Sequence, residues 1–297
     1  MNVIDLIERS SARLTQAGVS FGHGTTNAFD EAAWLVLWAL GHPLDALDDV
    51  ADLAVTEADE AKANTLIERR ITSRQPAAYL TGEAWLQGVP FTVDQRVIVP
   101  RSLIAECLAE GTIDFWLTDE THEVLDLCTG NGSLAVLAAM AWPEVRVTGA
   151  DLSADALAVA QINITRHALN ERITLRQGDG LAAVAGQQFD LILCNPPYVN
   201  ALSMAALPPE FRAEPELALS GNVHGGSDGM DFIRLLLQAA PAHLRERAVL
   251  VLEIGHERPH FEAAFPTLDV VWLPTSAGDD QVLLVTRSAL CQSLSLP

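Results

Sequence analysis

The sequence predicts an α/β protein with a seven-stranded mixed sheet, preceded by a small N-terminal helical domain. Two observations lead to this fold class. From about residue 121 onward, short apolar runs rich in β-branched residues alternate with helical stretches, which is typical of successive strand–helix units. Before residue 83, in contrast, the apolar residues recur mainly with helical spacing.

The composition is that of a protein with a sizeable hydrophobic core. The chain has 297 residues, a length that fits either one large domain or a unit of about 200 residues plus a smaller one. Its hydrophobic content of 49% is enough for a real core. The longest apolar run, residues 32–40, is too short to cross a bilayer, and the first residues lack the regions of a signal peptide. We therefore expect a cytoplasmic protein with no membrane partner. The four cysteines lack Cys-x-x-Cys spacing, so neither a disulfide framework nor a metal site is expected.

The net charge of −21 bears on the choice of partner. A strongly negative surface repels nucleic acid and attracts a basic protein, because charge acts on the encounter of two molecules. The same charge is also explained by solubility alone. Both interpretations stay open on composition.

Helical periodicity predicts three helices in the first domain, over residues 2–16, 30–40 and 56–73. We assign residues 1–82 to a helical substrate-recognition domain. Trp34 and Trp38 of the second helix belong either to its own core or to a surface that holds a protein substrate. Residues 83–100 are rich in β-formers and turn residues, with turns expected at 88–90 and 94–95, and are read as a β-hairpin linker.

The third segment, residues 101–297, carries the strand–helix alternation. Seven strands are predicted, at residues 123–127, 146–150, 173–177, 189–194, 248–253, 268–273 and 281–286. Helices are predicted at 133–141, 153–168 and 229–244. The last two strands lie close together in sequence and are expected to form an antiparallel pair at the sheet edge.

The fourth strand ends in the tetrapeptide Asn195, Pro196, Pro197 and Tyr198, here called the clamp. Neither proline has an N–H for the sheet, so the chain must leave at Asn195, at the strand end where open α/β sheets bind ligands. The amide of Asn195, the carbonyl of Pro196 and the ring of Tyr198 suit a small planar group that carries an NH2. Taken alone, the clamp is equally compatible with an ordinary proline-terminated strand.

The first strand leads into a glycine turn. Asp126 precedes it, and the turn consists of Cys128, Thr129, Gly130, Asn131 and Gly132. The turn lacks the Gly-x-Gly-x-x-Gly pattern, and no lysine follows as in a P-loop. It therefore suits a ligand without pyrophosphate, of which S-adenosylmethionine is an example.

Two further acids end strands. Asp151 follows the second strand and is placed to accept hydrogen bonds from two ribose hydroxyls, and Asp179 follows the third and is placed to receive an adenine amino group. Each acid alone is most simply a carboxylate that faces solvent. Three acids and Asn195 at successive strand ends form a much more specific pattern.

The order of these features resembles the class I S-adenosylmethionine-dependent methyltransferases. The Asn-Pro-Pro-Tyr clamp narrows the resemblance to members that methylate amino groups, either on DNA bases, such as the N6 of adenine, or on glutamine amides of proteins. The runs at 75–82, 97–102, 212–219 and 226–229 resemble the protein-glutamine N5-methyltransferases, which combine a helical domain with a methyltransferase core.

Two branches of that family differ in substrate. The Cys-Thr-Gly-Asn-Gly turn, the Pro-Arg-Ser at 100–102 and the run at 211–219 resemble the branch that methylates large-subunit ribosomal protein L-three. The branch that methylates the Gly-Gly-Gln motif of peptide release factors more often has Gly-Thr-Gly-Thr-Gly, Pro-Arg-Pro and a basic C-terminus. Residues 222–224 depart from the family pattern and look like an insertion.

The resemblance implies S-adenosylmethionine as the cofactor, held by Asn195 and by the acids and glycine turn named above. It implies that Asn195 and Pro196 accept the two N–H groups of a substrate amide while Tyr198 packs against its plane. The implied partner is a basic ribosomal protein, with no direct nucleic-acid binding. A dehydrogenase is disfavoured because Gly-x-Gly-x-x-Gly is missing, and a non-enzymatic scaffold because clamp and cofactor acids occur together.

Overall fold

The computed structural model describes residues 1–294, and residues 295–297, which close the predicted third segment, lie outside the described part. Within it, the first 82 residues form helices: α1 (Val3–Gln16), α2 (Ala28–Leu40), α3 (Leu47–Val50), α4 (Glu57–Ser73) and α5 (Ala77–Thr81). The side chains of Asn2, Asn27 and Thr56 cap α1, α2 and α4 by accepting backbone N–H groups. The short helices α3 and α5 were not predicted, and the cap at Asn27 makes α2 begin two residues before its predicted start.

The helices of this domain pack through the apolar face that the periodicity indicates. Val3, Leu6, Ile7 and Leu14 of α1 are buried against α2 and α4. The two tryptophans of α2 have different surroundings: Trp34 is 8% exposed, whereas Trp38 is 46% exposed. Core membership is therefore confirmed for Trp34 and wrong for Trp38. That residues 1–82 recognise a substrate stays a prediction.

A two-stranded hairpin follows, formed by β1 (Glu83–Leu86) and β2 (Val89–Thr92). Its turn lies at Gln87 and Gly88, both with positive φ, rather than at the predicted 88–90. Two positive φ values in a two-residue loop match the right-handed twist of paired strands, so the chain is already extended at Val89. The predicted hairpin is also too long, because residues 93–100 form no strand.

The main sheet within residues 1–294 has seven strands, in agreement with the predicted fold class. They are β3 (Glu123–Leu127), β4 (Arg146–Asp151), β5 (Ile173–Gln177), β6 (Phe189–Cys194), β7 (Leu244–Glu253), β8 (Val271–Thr275) and β9 (Gly278–Thr286). The order is β5-β4-β3-β6-β7-β9-β8, and β9 is antiparallel to both neighbours, as predicted for the edge pair. The predicted first residues of the last three strands are displaced by three or four positions from the observed ones, and the predicted end of β8 by two.

Helices cover both faces of this sheet. In chain order they are α6 (Ile104–Ala109), α7 (Ser133–Ala141), α8 (Ala154–Arg166), α9 (Ala201–Ala206), α10 (Asp231–His243), α11 (Arg258–Ala264) and α12 (Arg287–Leu294). Two apolar layers lie between the sheet and these helices. Across residues 1–294, no helix combines the length and the apolarity needed to cross a membrane.

Candidate active site

The sheet has a topological switch point between β3 and β6. The chain proceeds outward from β3 through β4 to β5, then returns to place β6 on the other side of β3. Leu127 pairs with Cys194, so β3 and β6 end at the same level. The glycine turn and the clamp therefore leave the sheet side by side, at the position where open α/β sheets bind ligands.

The glycine turn has an unusual backbone. Cys128, Gly130 and Gly132 all have positive φ, and Gly132 begins α7. A Cβ on Gly132 would lie 3.1 Å from the Cβ of Ala160, so this glycine permits close packing of α7 on α8. A Cβ on Gly130 would meet no atom nearer than 4.0 Å, so the space beside Gly130 is open to a ligand.

Asp126 lies beneath the turn and not on its surface. The side chain is 1% exposed, and its Oδ2 accepts hydrogen bonds from the hydroxyl of Thr129 and the N–H of Ala135. Its Oδ1 has no partner among the described residues. Burial raises the pKa of Asp126 to about 7. The observed contacts of this carboxylate hold the turn to the start of α7.

Asp151 is bonded to the turn directly. Its Oδ2 accepts the N–H of Gly130 at 2.9 Å, and its Oδ1 accepts the N–H of Ser153 at 2.9 Å. Burial raises the pKa of this carboxyl. A carboxylate has about four acceptor sites, so these bonds leave capacity for ligand hydroxyls. Asp179 is exposed beyond β5, and its carboxylate contacts no donor within residues 1–294.

Among residues 1–294, the clamp presents two acceptors without protein partners. Asn195 is partly exposed and Pro196 is buried. Neither the side-chain amide of Asn195 nor the carbonyl of Pro196 forms a hydrogen bond within the described part of the chain. Since polar groups at such a site are normally paired, both acceptors are available to a ligand.

Tyr198 has close contacts at its side-chain hydroxyl and at its backbone carbonyl. Its hydroxyl lies 3.4 Å from Oε1 of Glu253 and donates to it. Burial, together with the negative charge of Glu253, raises the pKa of Tyr198. A Cβ on Gly229 would lie 2.1 Å from the carbonyl oxygen of Tyr198, so the run at 226–229 needs glycine there.

Sequence reasoning missed Glu253, although a signal for it existed. It ends β7, just as Asp151 ends β4, and an acid at a strand's carboxyl end was the feature that identified the other candidates. It also missed an ion pair whose carboxylate is buried. Arg101 donates two hydrogen bonds of 2.7 Å to Glu214, whose Oε1 also accepts the N–H of Val99. Burial alone would raise the pKa of Glu214, but the charge of Arg101 lowers it to about 2.

A second set of buried charges joins the same loop to the helical domain. Glu210 accepts hydrogen bonds from the N–H of Ser20 and from Arg74. Arg70, which is fully buried, lies 3.7 Å from Glu210 and donates to Glu31 at 2.7 Å. The residues that follow the clamp are thus fastened both to the helical domain and to the segment that precedes α6.

Comparisons with known proteins decide the family. A model of the methyltransferase small domain matches residues 104–212, which include the glycine turn and the clamp. The chain is 53% identical over 288 residues to the ribosomal protein uL3 glutamine methyltransferase of Bordetella pertussis, covering 96% of this chain and 95% of that protein. Proteins of the same name from Burkholderia pseudomallei and Neisseria meningitidis are 51% and 46% identical, over 97% and 96% of this chain and 95% and 93% of theirs.

The chain belongs to the family of ribosomal protein uL3 glutamine methyltransferases. The resemblance to protein-glutamine methyltransferases and the assignment as an enzyme are therefore confirmed. In this uL3 methyltransferase family member, the fold brings the glycine turn, Asp151 and the clamp to one edge of the sheet, and Asp179 lies one strand further out. Within residues 1–294, no cluster of three His, Cys, Asp or Glu side chains is arranged to hold a metal ion.

Proposed function

We propose that this protein transfers a methyl group from S-adenosylmethionine to the side-chain nitrogen of a glutamine in ribosomal protein uL3. The observation that carries the chemistry is the pair of unpartnered acceptors, Asn195 and Pro196, beside the glycine turn. The name of the relatives, 53% identical in one case, supports the choice of uL3.

The residues at the β3 and β4 ends fit S-adenosylmethionine. The open space beside Gly130 admits a ligand close to the backbone, and Asp151 keeps acceptor capacity for the two ribose hydroxyls. Asn131 of the turn is 4% exposed, and its buried side-chain Nδ2 has no hydrogen-bond partner among the described residues, which leaves one unsatisfied donor in the turn. Asp179 is free to receive the adenine amino group. When bound, the cofactor supplies an activated methyl group.

The clamp supplies position rather than base catalysis. The lone pair of an amide nitrogen is delocalised into its carbonyl, so the nitrogen is a poor nucleophile. Asn195 Oδ1 and the Pro196 carbonyl accept the two N–H groups of the glutamine amide and aim the nitrogen at the methyl group. Pro197 stiffens the backbone, and the Tyr198 ring packs against the amide plane. As the N–C bond forms, the bond from the methyl carbon to sulfur breaks, the neutral thioether S-adenosylhomocysteine is the leaving product, and the nitrogen releases one proton to solvent.

The charge of the protein fits a basic substrate. With a net charge of −21, encounter with a lysine- and arginine-rich ribosomal protein is favoured electrostatically and weakens as salt is added. The glutamine must reach the clamp, so free uL3 or an assembly intermediate reacts better than finished ribosomes. We place the reaction in the cytoplasm, where ribosomes assemble.

The deciding experiment compares substrates side by side. Purified uL3, a purified peptide release factor and DNA are each incubated with the protein and labelled S-adenosylmethionine, and the labelled residue is located by mass spectrometry. We expect uL3 to be modified on one glutamine, with the highest kcat/KM of the three. A higher kcat/KM for the release factor would overturn the substrate and leave the glutamine chemistry, whereas labelling of DNA alone would overturn both.

A further inference from the structure

Glu253 ends β7 directly beside the clamp. Leu252 of β7 pairs with Cys194, the last residue of β6. Glu253 and Asn195 are the residues that follow this pair, so they are neighbours at the same end of the sheet. The Glu253 side chain is buried, at 4% exposure. A carboxylate in such a place needs hydrogen-bond donors, because an unpaired buried charge is strongly unfavourable.

One carboxylate oxygen of Glu253 accepts hydrogen bonds from the segment that leads into α6. Oε2 accepts hydrogen bonds from the hydroxyl of Ser102 at 2.6 Å and from the N–H of Leu103 at 2.9 Å, with the N–H of Ile104 at 3.4 Å. These donors fix the orientation of the carboxylate. The direction in which Oε1 points is therefore set by a part of the chain outside the clamp.

The other oxygen faces Tyr198. The hydroxyl of Tyr198 donates to Oε1 at 3.4 Å, which is longer than a typical O–H···O hydrogen bond. Gly255 lies under the same ring with φ +52°, and a Cβ there would be 2.7 Å from a ring carbon. With Gly229 against its carbonyl, Tyr198 is enclosed by two glycines and held at its tip by Glu253.

We propose that Glu253 is a positioning residue for methyl transfer: it holds the Tyr198 ring in place against the substrate amide. This inference rests on the proposed function, since the amide is the group that the ring packs against. Glu253 itself does not touch the reacting atoms. It acts through Tyr198, and it is itself held by hydrogen bonds from Ser102 and Leu103.

A double-mutant cycle tests the connection. We expect Tyr198→Phe and Glu253→Ala each to lower kcat on uL3 about 10-fold, within the range of up to ~10²-fold that a misplacement costs, with the KM for the cofactor unchanged. The double variant should be no slower than the slower single variant, because each change alone already removes the contact between Tyr198 and Glu253. Losses that multiply in the double variant would overturn the proposal.

Glu253→Gln is the rescue variant. Its carbonyl can accept from Ser102 and Leu103 while its NH2 donates to the Tyr198 hydroxyl oxygen. We expect kcat within about threefold of the parent. A Gln variant as slow as the Ala variant would count against a positioning contact.

Asp190→Ala is the matched control. Asp190 also accepts two consecutive backbone N–H groups, those of His122 and Glu123, each at 2.9 Å, but at the opposite end of the sheet. The control should lose stability and keep its kcat. An equal fall of kcat in Asp190→Ala would show that Glu253→Ala acts through general destabilisation and would overturn the proposal.

A spectroscopic readout separates this proposal from the choice of substrate. The chain has two tyrosines, so ring-labelled tyrosine in a Tyr79→Phe background reports Tyr198 alone by NMR. We expect Glu253→Ala to move the ring resonances of Tyr198 and Asp190→Ala to leave them in place, with no substrate present. Unmoved resonances in Glu253→Ala would overturn the contact, whereas moved resonances without methylation of uL3 would overturn the proposed function alone.

Discussion

Arg101, which is partly exposed, and the buried Glu214 form a doubly hydrogen-bonded ion pair between residues far apart in the chain. Both bonds measure 2.7 Å, and the Glu214 side chain is inaccessible to solvent. His23 of the helical domain lies 3.5 Å from the same carboxylate. The pair therefore joins three parts of the molecule: the segment before α6, the loop after the clamp and the N-terminal helices.

We expect Glu214→Gln to lower the free energy of unfolding by roughly 2 kcal/mol. Removing one partner of a fully buried pair costs about 3–5 kcal/mol, because the other charge is left uncompensated. The expected loss here is smaller because the Arg101 side chain is 27% exposed. Urea unfolding gives the value. The control, Glu262→Gln, breaks the exposed pair of Arg258 and Glu262 and should leave the midpoint nearly unchanged. Equal effects of the two variants would contradict the prediction.

The raised pKa of Asp126 makes the free energy of unfolding depend on pH. Its pKa is about 7 in the folded protein and near 3.8 in the unfolded chain. The folded state therefore holds a proton that the unfolded state releases, and the stability from this group, complete below pH 3.8, is lost as pH rises to 7. The side chain that Asp126→Asn introduces does not titrate, so this pH-dependent contribution is absent from the variant. The free energy of unfolding of Asp126→Asn, relative to the parent, should therefore rise between pH 5 and about 7 and then level off. Urea unfolding across this range measures the difference, and a difference that is flat with pH would refute the prediction.

Asp151→Ala should weaken the binding of S-adenosylmethionine by about 1–3 kcal/mol, because the ribose hydroxyls lose their acceptor. Isothermal titration calorimetry measures the affinity. Asp155→Ala, an exposed acid in the first turn of α8, is the matched control and should bind normally. Unchanged affinity in a folded Asp151→Ala protein would argue against the assignment.

Asn195→Ala should reduce kcat at least roughly 10²-fold while the protein still folds, because one of the two acceptors for the amide is lost. Single-turnover transfer to uL3 is the measurement. Asn170→Ala on the surface should retain full activity. Near-normal turnover of Asn195→Ala would remove the clamp from the mechanism.

The sequence by itself determined the features that depend on local pattern. Three features depend only on residues that are close together in the sequence. They are the alternation of strands and helices, the glycine turn and the exit of the chain from the sheet at Pro196 and Pro197. For this reason the sheet, the antiparallel edge and most element bounds were predictable. The hairpin turn was misplaced because Gln87, which is not a glycine, adopts the left-handed backbone together with Gly88, so the second strand begins at Val89.

Only the tertiary structure decided how the site is held. Glu253 meets Ser102 across 151 positions, and Glu214 meets Arg101 across 113. In the sequence Glu214 looks like any other acid, and Glu253 is marked only as an acid at the end of a strand, with no sign of its partner. What makes them buried partners is the packing of elements that are distant in the chain, and local periodicity contains no information about which charges that packing brings together.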